Sequence, residues 1–310
     1  MTNKKIKVLV IGGSGFLGSH VADELSSRDF LVSIYDQKKS FWKKKNQNFF
    51  LGKINDTKKL DNLIKKNDIV YNFAGVADLN EGSKKPLESI NENIYATAKI
   101  VESCIKYKIR RFVYSSTIYV YSEKGSFYKC SKQAAESYIE EYSKQFNMKF
   151  TILRFGSLYG PRSNYQNGLY KIVYDYLKNK NISYFGSKNT IREYIHVKDA
   201  ATSCVDILDK KFANKVVVIT GKNKIYVKKL LSIFSTLIKY NKKIKFKNID
   251  NPNHYEKNPY SFSRNFGIKY FSKKNTNIKD GLEELISVVK KDNILWLKSS
   301  IQEQLNLRKD

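Results

Sequence analysis

The sequence predicts an α/β fold in which helices cover both faces of a parallel sheet. Two observations support this prediction. Short apolar runs recur along the first half of the chain, and a stretch with helical spacing of apolar residues follows most of them. Strands that alternate with helices of this length form βαβ units, and the strands of such units are parallel.

The elements are expected in the following order. Strands are predicted near 6–11, 31–35, 68–73, 112–116 and 150–155, and helices near 16–25, 56–66, 86–108 and 128–146. After about residue 157 the alternation loosens, with short strands near 216–220 and 244–246 and helices near 168–180 and 280–293. We therefore predict a Rossmann-type doubly wound sheet followed by a smaller, mixed C-terminal part that binds substrate.

A glycine-rich segment joins the first strand to the first helix. Gly12, Gly15 and Gly18 have the spacing that allows a tight turn, a close approach of the backbone to a pyrophosphate and packing of helix on strand. Asp36 ends the second strand, where an acid binds the adenosine ribose hydroxyls. These features predict a dinucleotide-binding domain over 1–157, with roughly 195–222 returning to it. Residues 158–194 and 223–310 would form the substrate-binding domain.

Asp36 also bears on which dinucleotide binds. A carboxylate at this position repels a 2′-phosphate and so favours NAD. Lys38 and Lys39 lie two and three residues further on and would accept a 2′-phosphate, which favours NADP. We predict NAD, with NADP as the alternative.

Composition argues against several other classes. No apolar run approaches the roughly 20 residues that cross a bilayer, and the three cysteines are too scattered for a metal site or a disulfide framework. We therefore expect a cytoplasmic protein with no metal and no membrane partner. The formal net charge is +28, but only 8 of the 57 basic residues are Arg, the residue that nucleic-acid-reading surfaces favour. The lysines are spread along the chain, so we expect a solvated surface and no nucleic-acid partner.

A Tyr-x-x-x-Lys pattern is the candidate catalytic motif. On a helix this spacing puts a phenol and an ammonium on one face, where the ammonium lowers the phenol pKa and lets it accept a hydroxyl proton. The pattern occurs eight times, as expected by chance in a chain rich in Tyr and Lys. Only Tyr128 and Lys132 open a predicted helix just after a strand that ends in hydroxyl residues, Ser115, Ser116 and Thr117. We therefore assign the chemistry to this pair.

Together these segments resemble an extended short-chain dehydrogenase/reductase of the nucleotide-sugar epimerase/dehydratase family. The similarity runs nearly end to end. The matching segments are 12–18, 72–75, 93–97, 115–121, 128–132, 153–154, 159–162, 192–199, 220–221 and 280–282.

The resemblance implies a role for each matching residue. Tyr128 would be the base, Lys132 would hold the nicotinamide ribose, and Thr117 would bind the sugar hydroxyl. Cofactor contacts are expected from Gly12, Gly15, Phe16, Leu17, Gly18, Asp36, Ile54, Ala74, Gly75, Asn93, Ser115, Tyr128 and Lys132. Substrate contacts are expected from Thr117, Ser157, Arg162 and Arg192, with Arg192 on the diphosphate. The resemblance also implies a homodimer through the helices near 86–108 and 128–146.

Two departures from the family pattern narrow the reaction. Relatives that dehydrate a hexose place an Asp-Glu pair directly after the hydroxyl residue, where this chain has Ile118 and Tyr119. Isoleucine cannot transfer a proton, so dehydration and decarboxylation are not expected. Epimerase-reductases carry a cysteine at the position of Tyr119, so 3,5-epimerisation is not expected either.

Three hypotheses remain for the function. The leading one is NAD-dependent oxidation at C4 of a nucleotide-diphosphate sugar as part of 4-epimerisation, in capsule or lipopolysaccharide biosynthesis. The alternative is a net C4 oxidase that releases the 4-keto product, for example from a GDP-linked heptose or hexose. The third is a non-catalytic redox-sensing or RNA-binding protein on the same fold, which the retained Tyr128 and Lys132 disfavour.

Overall fold

The structure, a computed structural model, describes residues 5–247 and 254–260. The chain divides after Ser263 into two compact units, and all described residues belong to the first. The predicted helix near 280–293 and the segment 280–282 lie outside the described residues. No helix in the described part is long and apolar enough to cross a membrane.

Thirteen strands are present among the described residues. They are β1 (Lys7–Ile11), β2 (Leu31–Asp36), β3 (Gln47–Leu51), β4 (Ile69–Asn72), β5 (Arg111–Thr117), β6 (Phe150–Phe155), β7 (Ser157–Tyr159), β8 (Ser183–Phe185), β9 (Ile191–Arg192), β10 (Tyr194–His196), β11 (Lys215–Ile219), β12 (Ile225–Tyr226) and β13 (Lys245–Lys247).

The α-helices of the same part are α1 (Phe16–Ser27), α2 (Thr57–Ile64), α3 (Leu79–Lys84), α4 (Pro86–Ser89), α5 (Ala96–Lys106), α6 (Ser126–Phe146), α7 (Gly168–Asn179), α8 (Val197–Asp206) and α9 (Val227–Leu237). A π-helical turn at Ile90–Tyr95 joins α4 to α5, so the helix predicted over 86–108 is continuous but changes pitch. Turns of this kind often mark functional sites.

Seven strands form one sheet in the order β11-β6-β5-β4-β1-β2-β3. Every pair in it is parallel. Strands β1 to β6 lie side by side in the order β3-β2-β1-β4-β5-β6, which is the order of a doubly wound nucleotide-binding fold. The strand order reverses between β1 and β4, which is the switch point of the sheet. The predicted fold class is therefore confirmed.

Two apolar layers flank this sheet because side chains alternate along each strand. In β1, Val8 and Val10 face the layer that includes α1 and α8. Leu9 and Ile11 face the opposite layer, which includes α2, α5 and α6. All four residues have no exposed surface. The strand is thus buried on both faces, as its continuous apolar run indicates.

The remaining described strands form three separate two-stranded pairs, β7 with β10, β9 with β12, and β8 with β13. A small third core holds this region together around Ile182, Val227 and Leu231. Helix α7 has no fully buried residue. The domain division predicted above stays a prediction, although β11 does return to the main sheet beside β6.

Several elements escape the sequence prediction. Strand β3 lies at the edge of the sheet, and its apolar residues Phe49, Phe50 and Leu51 are not fully buried, so its short apolar run does not resemble that of a central strand. Helix α8 packs on α1 through three small residues, Ala200, Ala201 and Cys204. Their apolar periodicity is too weak for the helix to be predicted from the sequence. Short strands such as β9, β10 and β12 have too few residues to show any periodicity.

Candidate active site

The carboxyl ends of β1, β2, β4, β5 and β6 open into a cavity of about 1030 Å³. Ligands of doubly wound sheets bind at this edge, near the switch point. The volume lies at the upper end of the range for small-molecule sites, which suits two ligands held side by side. The residues that line the cavity come from both the main sheet and the segment between 157 and 256.

The glycine loop forms one wall of this cavity. Gly12 has φ +80°, a conformation that L side chains rarely adopt. A Cβ on Gly18 would lie 2.3 Å from the carbonyl oxygen of Gly12, so only glycine lets α1 start this close to β1. No side chain caps α1 at Gly15, and Gly15, Phe16, Leu17 and Gly18 all face the cavity. An uncapped helix N-terminus behind a glycine turn fits a pyrophosphate.

Asp36 stands at the end of β2 and lines the same cavity. Its Oδ2 accepts a hydrogen bond from Ser14 N at 3.0 Å, and its Oδ1 accepts one from Lys38 N at 2.9 Å. The carboxylate therefore ties the glycine loop to the chain that follows β2. Each oxygen keeps a second lone pair, as ribose hydroxyls require. Ile54 lies further along this wall.

Ala74 and Gly75 follow β4 and line the cavity, whereas Asn93 lies behind them. Asn93 Nδ2 donates to Val76 O at 3.0 Å and to Ser131 Oγ at 2.8 Å. A Cβ on Gly75 would come within 2.1 Å of Asn93 Oδ1. Asn93 is therefore placed to support the loop, and the structure does not bring it to the cavity surface as predicted.

Tyr128 and Thr117 meet at the end of β5 and both line the cavity. Burial, with a smaller effect from the Asp78 charge, raises the pKa of Tyr128 to about 12. The neighbouring Thr117 side chain acts in the opposite direction and lowers this pKa, but burial outweighs it. Tyr128 is therefore protonated at neutral pH.

The Lys132 side chain is buried and is bonded to the backbone of β5. Its Nζ donates to Ser115 O at 2.8 Å and lies 4.6 Å from the ring centre of Tyr114. Burial lowers the pKa of Lys132 to about 8. The ammonium lies behind Ser115, and Lys132 is not among the residues that line the cavity. The roles predicted for Lys132, holding the nicotinamide ribose and lowering the phenol pKa, stay predictions.

The predicted substrate residues separate into two places. Ser157 and Arg192 line the cavity. Arg192 is 8% exposed, donates from Nη1 to Ile191 O at 2.8 Å, and lies 4.2 Å from the ring centre of Tyr255. It forms no ion pair within 5–247 and 254–260. A nearly buried guanidinium that donates to backbone carbonyls, and not to a carboxylate, is suited to bind a phosphate.

Arg162 is the correction to that set. Its Nη2 pairs with Asp23 on α1 at 2.7 Å, and its guanidinium lies 5.0 Å from the Trp42 ring. Both contacts are outside the residues that line the cavity. The structure therefore places Arg162 in an ion pair that joins the 160–163 turn to α1, away from the substrate side.

Tyr119, His254 and Tyr255 are among the cavity residues that were not identified as site residues from the sequence. Tyr119 Oη and His254 Nδ1 share a hydrogen bond at 2.7 Å. The ring of Tyr119 also packs on Tyr255, with centroids 5.2 Å apart. His254 and Tyr255 lie in no motif, so only the fold brings them to Tyr119.

The Tyr119–His254 pair is neutral near pH 7. Burial, and then the Arg192 charge, lower the pKa of His254 to about 4. Burial raises the pKa of Tyr119 far above its usual value. A proton would have to move from a very weak acid to a very weak base, so this pair shapes the cavity without carrying protons. In the described residues, no group of His, Cys, Asp and Glu is placed to hold a metal ion.

The sequence pattern of the NAD dependent epimerase/dehydratase family matches residues 8–220. The chain belongs to this family. It is therefore an NAD-dependent enzyme, and the glycine loop and Asp36 fit that cofactor. The residues that would hold NAD are those of the glycine loop, Asp36, Ile54 and the wall formed by Ala74, Gly75 and Ser115.

Individual relatives within the family are moderately similar. A putative UDP-glucose 4-epimerase of Methanocaldococcus jannaschii is 31% identical over 239 residues, 69% of this chain and 77% of that protein. A dTDP-D-glucose 4,6-dehydratase of Dictyostelium discoideum is 28% identical over 243 residues, 66% of this chain and 56% of that protein. The chain thus matches little more than half the length of that dehydratase.

Solved structures share the fold. The UDP-glucose 4-epimerase of Thermotoga maritima with UDP-glucose has a TM-score of 0.75 at 24% identity, covering 81% of this chain and 88% of that one. The UDP-glucuronic acid 4-epimerase of Bacillus cereus with UDP-glucuronic acid and NAD has a TM-score of 0.75 at 23% identity, covering 81% and 89%.

Proposed function

We propose that this enzyme oxidises the C4 hydroxyl of a nucleotide-diphosphate sugar as the first half of a 4-epimerisation. The observation that carries the proposal is the presence of two hydroxyl side chains, Thr117 and Tyr128, in the cavity lining at the end of β5. They lie on the same sheet edge as the glycine loop and line the same cavity. Hydroxyl groups so placed can bind a sugar hydroxyl and accept its proton.

The chain contributes proton handling, and NAD when bound supplies the hydride acceptor. Tyr128 takes the C4 hydroxyl proton, and Thr117 orients that hydroxyl by a hydrogen bond. A phenol with a pKa of about 12 is a poor proton acceptor at neutral pH. Lys132, one helical turn along α6, is the cation that we expect to lower this pKa once the site is loaded. We propose that Lys132 Nζ leaves Ser115 O when it acts on Tyr128.

The substrate class rests on the cation in the cavity and on the relatives. Arg192 would bind the diphosphate, because a guanidinium matches phosphate geometry with two parallel N–H donors. Ser157 would contact the sugar side. The names of the similar proteins and structures specify UDP- and dTDP-linked sugars, which supports a nucleotide-diphosphate sugar here.

The positions after Thr117 favour simple C4 redox chemistry over dehydration. Ile118 is 3% exposed and has no group that can transfer a proton. Tyr119 is hydrogen-bonded to His254 and neutral. Elimination of water needs an acid and a base beside the sugar, and neither residue supplies one.

A panel of nucleotide sugars added to the NAD-loaded enzyme tests the proposal. We expect one substrate to produce a redox-neutral mixture of two C4 isomers, identified by NMR. Keto product that accumulates only with an added hydride acceptor would instead show a net C4 oxidase. No turnover with any sugar, together with salt-sensitive RNA binding, would favour the non-catalytic hypothesis.

We further propose a cytoplasmic homodimer that forms through α4, α5 and α6. Large apolar side chains are exposed on α4, on the π-helical turn that follows it and on α6: Leu87 at 79%, Ile90 at 51%, Tyr95 at 54% and Tyr138 at 54%. Such a patch is suited to burial against a second copy. Light scattering should show a dimer for the wild type and a monomer for Leu87→Asp. A wild-type monomer would refute this proposal.

A further inference from the structure

The loop between β2 and β3, residues 37–46, combines exposed aromatic rings with a dense group of lysines. We call it the lysine loop. Phe41 is 91% exposed and Trp42 is 46% exposed. Lys38, Lys39, Lys43, Lys44 and Lys45 flank them on both sides, and all five are exposed. Among the large apolar residues whose exposure the structure describes, none is more exposed than Phe41.

The base of the lysine loop is well anchored, so the exposure of Phe41 is not a result of a detached loop. Ser14 Oγ donates to Lys38 O at 2.8 Å, and Gln47 N donates to Lys44 O at 3.1 Å. Trp42 N donates to the Ser40 side chain at 3.3 Å, and the Arg162 guanidinium lies 5.0 Å from the Trp42 ring. These contacts hold Trp42 at the side of the loop and leave Phe41 at its tip.

The charge of the loop is largely uncompensated. Lys44 approaches Asp23 at 3.7 Å. Within the described ranges, the other four lysines form no ion pair. An apolar tip between unpaired cations matches an interface that is anionic at its surface and apolar below it.

We propose that the lysine loop binds an anionic lipid surface, with Phe41 inserted among the acyl chains and the lysines at the headgroups. A phenyl ring enters hydrocarbon, whereas lysine side chains extend their ammonium groups back to the phosphates. The lack of a membrane-spanning run, on which the expectation of no membrane partner rested, does not bear on a peripheral contact of this kind.

An RNA partner is less consistent with the loop's shape and composition. Single strands bind in basic grooves, where successive bases stack on several aromatic rings. Here only the Phe41 ring is almost fully exposed, at 91%, and the Trp42 ring is covered on one side by Arg162. All five cations of the loop are Lys, which binds phosphates as a point charge without the planar fork of Arg.

Vesicle flotation of the full-length chain tests the proposal. We expect binding to vesicles of equimolar phosphatidylcholine and phosphatidylglycerol, little binding to phosphatidylcholine alone, and weaker binding as salt increases. Phe41→Ser should weaken binding about tenfold at unchanged charge, since burial of a phenyl ring is lost. Phe41→Leu keeps an apolar tip and should retain most of the binding.

Charge variants complete the experiment. Lys43→Gln with Lys45→Gln should weaken vesicle binding by about tenfold or more. The matched control is Lys65→Gln with Lys66→Gln, which removes two exposed lysines at the end of α2 and should leave binding near wild type. Circular dichroism should show all variants folded, because every changed side chain is exposed.

Three results would overturn the proposal. The first is equal binding of Phe41→Ser and wild type, which would show a general basic surface. The second is absence of binding to the anionic vesicles. The third is displacement of the protein from the vesicles by single-stranded RNA, together with loss of vesicle binding in Phe41→Leu. This result would identify base stacking as the contact.

Discussion

The two walls of the cavity are built in different ways. The cofactor wall rests on strands of four to seven residues in one parallel sheet, with a buried core on both faces. The substrate wall consists of strands of two or three residues in separate pairs, beside α7, which has no fully buried residue. Groups that must stay within a fraction of an ångström of their target need rigid elements. Under the proposed function, we expect the first wall to carry the chemistry and the second to select the substrate.

The largest effect should come from the rigid wall, through Tyr128→Phe. Loss of the phenol removes the group that accepts the C4 proton, so turnover should fall by about a thousandfold. NAD content after purification should stay at the wild-type level, because the glycine loop is untouched. Tyr226→Phe is the control, since Tyr226 is 45% exposed and outside the cavity. Activity that survives in Tyr128→Phe would disprove the assignment of the base.

A backbone change in the same wall should affect NAD binding before chemistry. In Gly18→Ala the new Cβ would lie 2.3 Å from Gly12 O, so α1 must shift. We expect NAD affinity to fall by on the order of tenfold to a hundredfold, since overpacking costs about 1–3 kcal/mol. Gly168→Ala is the matched control, because a Cβ there meets nothing within 4 Å. Calorimetric titration with NAD should separate the two variants, and equal affinities would contradict the account of the loop.

The substrate wall is tested with two arginines, Arg192 and Arg162, which the sequence analysis placed together among the substrate contacts. Arg192→Met should raise the KM for the nucleotide sugar about tenfold to a hundredfold, because bonds to a charged group contribute about 1.5–3 kcal/mol. Arg162→Met removes the ion pair with Asp23 instead, so it should lower thermal stability and leave KM unchanged. Steady-state kinetics on both variants measure this difference. The reverse result would return Arg162 to the substrate site.

The smallest expected effect on kcat/KM at neutral pH comes from the titration of Lys132. Burial lowers its pKa to about 8, so its charge is present below that pH and is lost as the pH rises. If the charge assists Tyr128, kcat/KM should fall above about pH 8, by up to about tenfold per pH unit. Lys132→Arg keeps a cation at all these pH values, so its profile should lose this descending limb. An unchanged limb would assign the titration to another group.

The cofactor wall could be predicted from sequence because its signals are local. β1, β2 and β4 are apolar runs, and the glycine spacing reports a backbone constraint within a few residues. The rest depends on contacts distant in sequence. Arg162 pairs with Asp23, 139 residues away, and Tyr119 meets His254, 135 residues away. The position of Lys132 follows from competition between burial and the Ser115 carbonyl, which a spacing pattern does not contain.

The central claim is C4 redox chemistry without dehydration, and the fate of a C4 deuterium tests it most directly. A nucleotide sugar labelled with deuterium at C4 is incubated with the NAD-loaded enzyme, and the products are analysed by NMR and mass spectrometry. The account predicts that the C4-inverted isomer keeps its deuterium at C4 and its full mass. Deuterium found at another carbon, or a product lighter by one water, would contradict it.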